Sequence, residues 1–158
     1  MNVTVERVIR AVNSVYHNCG LRLSTRTRTN RLRLQKVVFL LRALGYAPAS
    51  RFEFKIHMNG PYSMELASGI AQLSDEEISR AGASDDLPKA TLRIISESLQ
   101  RGPAFLEALA TVIDGTPRLG SVQASIGWAR QIKPLIDGQV WTEVEAFLER
   151  ERTLTKYT

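Results

Sequence analysis

A chain of 158 residues, 44% hydrophobic, 23% charged and with a formal net charge of +5, is long enough for one domain with a buried core. Its single cysteine, Cys19, excludes an intramolecular disulfide and a cysteine-rich zinc site, and no apolar run nears the roughly 20 residues that span a bilayer. Glu6, Arg7 and Arg10 interrupt the stretch where a signal peptide would be apolar, so a cytoplasmic protein is expected. Arginine supplies 16 of the 21 basic side chains, a balance compatible with nucleic acid or an acidic protein partner.

In chain order, Thr4 is a candidate cap for a helix in which Val5, Val8, Ile9, Val12, Val15 and Tyr16 recur at helical spacing, and Gly20 ends it. Residues 21–30 alternate Ser, Thr and Arg with almost nothing to bury, which reads as a polar basic connector. Asn30 caps the next predicted helix, with Leu34, Val37, Val38, Leu41 and Leu44 inward. Leu32, Phe39 and Leu40 widen that apolar surface, so the helix is expected at the centre of the fold, and Gly45 closes it. From Arg51 to Met58 the period changes to two. Phe52, Phe54, Ile56 and Met58 are predicted inward, and Arg51, Glu53, Lys55 and His57 outward. A lone strand leaves its backbone unsatisfied; the candidate partners are Leu21–Thr25 or another copy of the chain.

Ser63 caps a helix predicted to reach Leu73, and Ser74–Glu77 fits a capping box for a short helix ending at Gly82. Pro88 suits the start of a helix over Lys89–Arg101. Gly102-Pro103 breaks it before another over Ala104–Asp114, and Gly115–Gly120 reads as a turn. Ser121 opens a helix ending near Pro134. Asp137-Gly138 precedes the last, with Val140, Trp141, Val144, Phe147 and Leu148 inward, and the polar tail over residues 150–158 is expected to fray. The pattern predicts a mainly α, single-domain helical bundle of six to eight helices, with a small two- or three-stranded β element near residues 51–58.

The run Leu34-Gln35-Lys36-Val37-Val38-Phe39-Leu40-Leu41, the Gly45-Tyr46 stop, the strand around Phe52–Ile56 and the turn Gly60-Pro61-Tyr62-Ser63-Met64-Glu65-Leu66 resemble the YwgA-like family of uncharacterised prokaryotic proteins. More distantly they resemble the SocA-like (Panacea) antitoxin domain. The likeness extends to Leu106–Ile113 and Lys133-Pro134, but not to the first thirty residues. Asn59 departs from it, standing where an aromatic residue often precedes the Gly-Pro pair. The resemblance implies a helical domain with a small sheet and no known catalytic residues. For antitoxin-like relatives it implies direct binding of a toxin or an adaptor role toward a protease.

Two groups of residues are candidate sites. Arg22, Arg26, Arg28, Arg31, Arg33 and Lys36 fall within fifteen residues, with no acidic residue between Glu6 and Glu53. Interleaved hydroxyls and a helix start suit phosphate or an acidic partner, although a solvated connector has the same composition. The missing aromatics argue against stacking on single strands. The second group, Asn59, Gly60, Tyr62, Ser63 and Glu65, is a candidate partner surface, equally readable as a structural turn. His57 and Glu53, four apart on a strand, stand about 13 Å apart by the usual rise and read as solvated. No Ser-His-Asp order, HExxH, CxxC or GxGxxG occurs, so no catalytic residue, metal or cofactor is expected. The leading expectation is a non-enzymatic regulatory module that binds a protein partner. The alternative is a basic, winged-helix-like protein contacting the nucleic-acid backbone through residues 22–36. Either is compatible with a homo-oligomer.

Overall fold

The structure, a computed structural model, describes residues 1–156, with Lys156 described by its backbone only; Tyr157 and Thr158, the end of the tail, lie outside the described residues. The described chain is mainly helical with a small β element, as expected, but it holds nine α-helices and not six to eight, the ninth lying in the tail; the sheet is two-stranded and antiparallel. Helix α1 (Val3–Asn18) buries Val5, Val8, Ile9, Val12, Val15 and Tyr16. Its cap is Asn2, whose side chain accepts the Val5 N–H at 2.8 Å, and not Thr4. Gly20, with φ 69°, ends it by letting the Leu21 N–H reach the Tyr16 carbonyl.

The connector after α1 is less free than its composition suggests. Leu23 and Thr25 turn inward, and the Thr25 hydroxyl donates to the Leu73 carbonyl at 3.2 Å. Helix α2 (Arg28–Ala43) also begins earlier than predicted, because the Thr27 side chain accepts the Asn30 N–H at 3.1 Å and takes the capping role given to Asn30. Arg28, Arg31, Arg33 and Lys36 are therefore helical. Leu34, Val37, Val38, Phe39, Leu40 and Leu41 are all buried. The helix packs against α1, the later helices α5 (Lys89–Gln100) and α6 (Pro103–Leu119), and the sheet, which is the central position its apolar girth predicts.

The strand is where expectation and fold diverge most. Ala49–Arg51 forms a 3-10 turn, and β1 is only Lys55–His57. Its partner is neither Leu21–Thr25 nor another copy. It is β2 (Gly60–Tyr62), directly following, with Lys55 opposite Tyr62, Ile56 opposite Pro61 and His57 opposite Gly60. Gly60 takes a φ of 102°, so the chain reverses over Met58-Asn59 without placing either in a left-handed conformation. Phe52 is buried and Phe54 packs edge-on against Phe39 at 5.4 Å, but Ile56 and Met58 face solvent. All three residues of β1 are exposed, and the buried side of the hairpin is Gly60 and Pro61 of β2, which packs on α2 and α6.

Ser63 caps α3 (Met64–Ile70), which stops three residues before Leu73, and Ser74 and Glu77 form the predicted capping box of α4 (Asp75–Ala81). Helix α6 does not end at Asp114. It continues through Gly115 and Pro117, so the predicted turn is helical up to Leu119. Gly115 is there for packing. A Cβ on it would lie 2.5 Å from Ser125 Oγ and 2.7 Å from the Trp128 ring of α7 (Val122–Ile132). Helix α8 (Gly138–Arg150) closes the core with Trp141, Val144, Phe147 and Leu148. The tail is ordered as far as it is described: α9 (Thr153–Lys156) buries Leu154, and Glu151 pairs with Arg93 at 2.8 Å. No helix among the described residues is long and apolar enough to cross a membrane.

Candidate functional site

Three sets of contacts fix the hairpin to the helices. Gln35, on the inner face of α2, donates from Nε2 to the Ser63 carbonyl at 2.9 Å, and its Oε1 accepts the Ser63 N–H at 2.9 Å. Both bonds are buried. Gln35 thus satisfies the backbone where β2 passes into α3, while the Ser63 hydroxyl accepts the Leu66 N–H. Lys133, at the end of α7, donates from Nζ to the Met58 carbonyl and to Glu107 Oε1, the latter at 3.0 Å. Beneath Gly60, the Lys36 side chain and the Thr111 hydroxyl each come within 3.7 Å of where a Cβ would stand.

Lys36 is only 9% exposed and has no hydrogen bond or ion pair among the described residues. Burial pulls its ammonium below the ordinary lysine range. Glu107 opposes that shift, and Lys133 and Arg33 add to it. Lys36 therefore leaves the candidate surface: it is part of the support under the hairpin.

Above that support, a cleft of about 330 Å³ opens between the start of α2 and the hairpin. Arg28, Arg31 and Leu32 form one wall. His57, Asn59, Gly60, Pro61, Tyr62 and Met64 form the other, and no acidic residue lines it. Arg31 is held in place, its Nη1 donating to the carbonyls of Thr25 at 2.9 Å and Arg26 at 3.2 Å. Arg28 is exposed and has no ion-pair partner among the described residues. A second cleft of about 170 Å³ adjoins the first, lined by Glu53, Lys55 and Glu65 and sharing His57, Tyr62 and Met64 with it. The His57 and Tyr62 rings lie 5.1 Å apart, forming with Met64 a ridge between the two.

The fold thus joins part of each candidate group. Arg28 and Arg31 meet Asn59, Gly60 and Tyr62, with Glu65 beside them. Arg26 turns away to pair with Asp75 at 3.1 Å; Arg22 is exposed on the preceding connector, and Arg33 is half-buried. Ser63 is fully buried as a cap, so it offers no partner surface. His57 and Leu32 belong to the cleft although the sequence marks them only as a wet strand residue and a helix flank. Met64 follows a cap and carries no signal of its own, and Lys133 and Glu107 stand too far along the chain to be linked to the hairpin by any spacing rule.

Chemically, two guanidinium groups in a cleft without carboxylates suit a carboxylate or a phosphate, and the adjacent helix start adds to the attraction. Among the described residues no three His, Cys, Asp or Glu side chains gather as a metal cage needs. No family model matches the chain, and neither does any curated protein or solved structure.

Proposed function

We propose that this protein is a non-enzymatic regulatory module of the cytoplasm, acting by binding a protein partner through the cleft between α2 and the hairpin. The observation that carries the reading is the meeting of Arg28 and Arg31 with the Asn59–Tyr62 turn in one cleft without acidic lining. Charged rims of this kind steer association and set register. The resemblance to antitoxin-type proteins supports the same reading, with a toxin or an adaptor's client as the partner.

Nucleic-acid binding is the second reading, favoured by the exposure of Arg22, Arg26, Arg28 and Arg31. Three features weigh against it. Arg26 is engaged by Asp75, Lys36 is buried, and the neighbouring cleft places Glu53 and Glu65 where a phosphate backbone continuing past Arg28 would be repelled.

Affinity capture on the tagged protein in its source cells, with and without nuclease, separates the readings. A defined protein retained after nuclease, and lost from an Arg28→Glu variant, supports the partner reading. Retention that disappears with nuclease, together with binding of duplex DNA or single-stranded RNA that falls steeply from about 50 to 300 mM salt, overturns it. In that case alanine at Arg26, Arg28, Arg31 and Arg33 weakens binding evenly across sequences. A captured protein indifferent to Arg28→Glu removes the cleft from the account.

A further inference from the structure

The two clefts flanking the His57–Tyr62–Met64 ridge differ in charge, and the difference limits what can lie across them. One presents Arg28 and Arg31 and no carboxylate. The other presents Glu53 and Glu65 with Lys55, two carboxylates to one ammonium. Among the described residues no ion pair links Lys55 to either glutamate or Arg28 to any acid, so these groups are free to meet a ligand. The ridge between is aromatic and thioether in character, with Met64 69% exposed, and a methionine there adapts to varied apolar shapes.

Size narrows the occupant further. A helix with its side chains is about 10–12 Å across, too thick to settle into clefts of about 330 and 170 Å³. An extended chain, whose successive side chains point to opposite faces, can lower single side chains into each.

Resting on the protein-partner reading, we infer that the partner enters as an extended peptide segment of mixed charge. An acidic side chain sits between Arg28 and Arg31, an apolar one crosses the His57–Tyr62–Met64 ridge, and a basic one lies against Glu53 and Glu65. The segment is recognised by the order of its charges as well as by their sign. A uniformly acidic tail gains at Arg28 and Arg31 and loses at Glu53 and Glu65, and a uniformly basic one does the reverse.

Panning a random peptide library, with peptides long enough to cross both clefts, tests this on the full chain. Three forms are compared: the native protein, Arg28→Glu, and the Glu53→Lys/Glu65→Lys double variant. All three positions are exposed, and a thermal melt verifies that each variant folds. The native protein is expected to enrich peptides with an acidic and a basic residue, each two positions from an apolar one, so that all three face the protein. Arg28→Glu is expected to lose the acidic preference, and the double variant the basic preference while keeping the acidic one. For a selected peptide, each set of changes is expected to weaken binding by about tenfold or more, as loss of a charge-assisted contact does. Purely acidic consensus peptides, a consensus unchanged in the double variant, or no enrichment on the native protein would each overturn the inference. If peptides fail while cells still yield a captured protein sensitive to Arg28→Glu, only the extended-segment inference falls. If both fail, the partner reading falls with it.

Discussion

The contact between α6 and α7 and the hairpin beside α2 are opposites in construction. At the first, glycine is used to remove space: Gly115 lets Ser125 and Trp128 close on the α6 backbone, and Ser125 Oγ donates to the Val112 carbonyl at 2.6 Å. At the second, Gly60 is used to turn the chain, and the result is an exposed hairpin whose tip carries Met58 at 85% exposure. The first region is closed by its own packing. The second is pinned from below by Gln35, Lys133 and Thr111 and left open above, which is the arrangement expected where surface rather than packing matters.

The largest expected effect comes from filling the first region. Gly115→Val should cost about 3 kcal/mol, the upper part of the usual range for overpacking, and lower the melting temperature by about 6–12 °C for a chain of this size. A change within error would mean that α6 and α7 separate readily and that the contrast is false. Next, Gln35→Ala leaves the buried Ser63 N–H and carbonyl without partners. It should cost about 2 kcal/mol and speed amide exchange at residues 60–66 in particular; a uniform rise across the chain would deny Gln35 its local role.

A smaller effect of opposite sign is expected at Lys36. Lys36→Met removes a buried cation with no hydrogen bond and should raise stability by about 1 kcal/mol. The sign with pH follows from the direction of its shift. Its native pKa is depressed below 10.5, so at lower pH it is charged in both states and carries its full burial penalty. As pH rises through the lowered native value toward the unfolded one, the native state sheds its proton first and the penalty fades. The advantage of Lys36→Met over the native protein should therefore shrink in that window, as urea melts at several pH values would reveal. An advantage that grows there would mean that Glu107 and not burial governs Lys36. The smallest effect is at Met58: Met58→Ser should change stability by less than about 0.5 kcal/mol, in keeping with a hairpin tip that faces water.

Much of the helical frame was legible because its signals are local. The caps at Ser63, Ser74 and Ser121 and the apolar stripe of α2 all appear where spacing and residue type place them. Errors arose where a tertiary contact decides the meaning of a residue. Gly115-Thr116-Pro117 has turn composition, but the need to admit Trp128 keeps it helical. Phe52, Phe54, Ile56 and Met58 alternate as a half-buried strand should, yet only Phe52 and Phe54, ahead of the short strand, reach the core, and Ile56 and Met58 face solvent. The basic segment reads as a single patch, and only its position on α2 reveals that Lys36 is buried under the hairpin while Arg28 and Arg31 open onto a cleft. The reciprocal Gln35–Ser63 bonds join residues far apart in the chain, and no spacing rule anticipates them.

Amide hydrogen exchange on the full chain, alone and in complex with the protein captured from its source cells, tests the central claim most directly. The account predicts added protection at residues 28–32 and 55–65, with Val122–Ile132 and Gly138–Arg150 unchanged. Protection concentrated on those last two helices, with the hairpin exchanging as in the free protein, would contradict it.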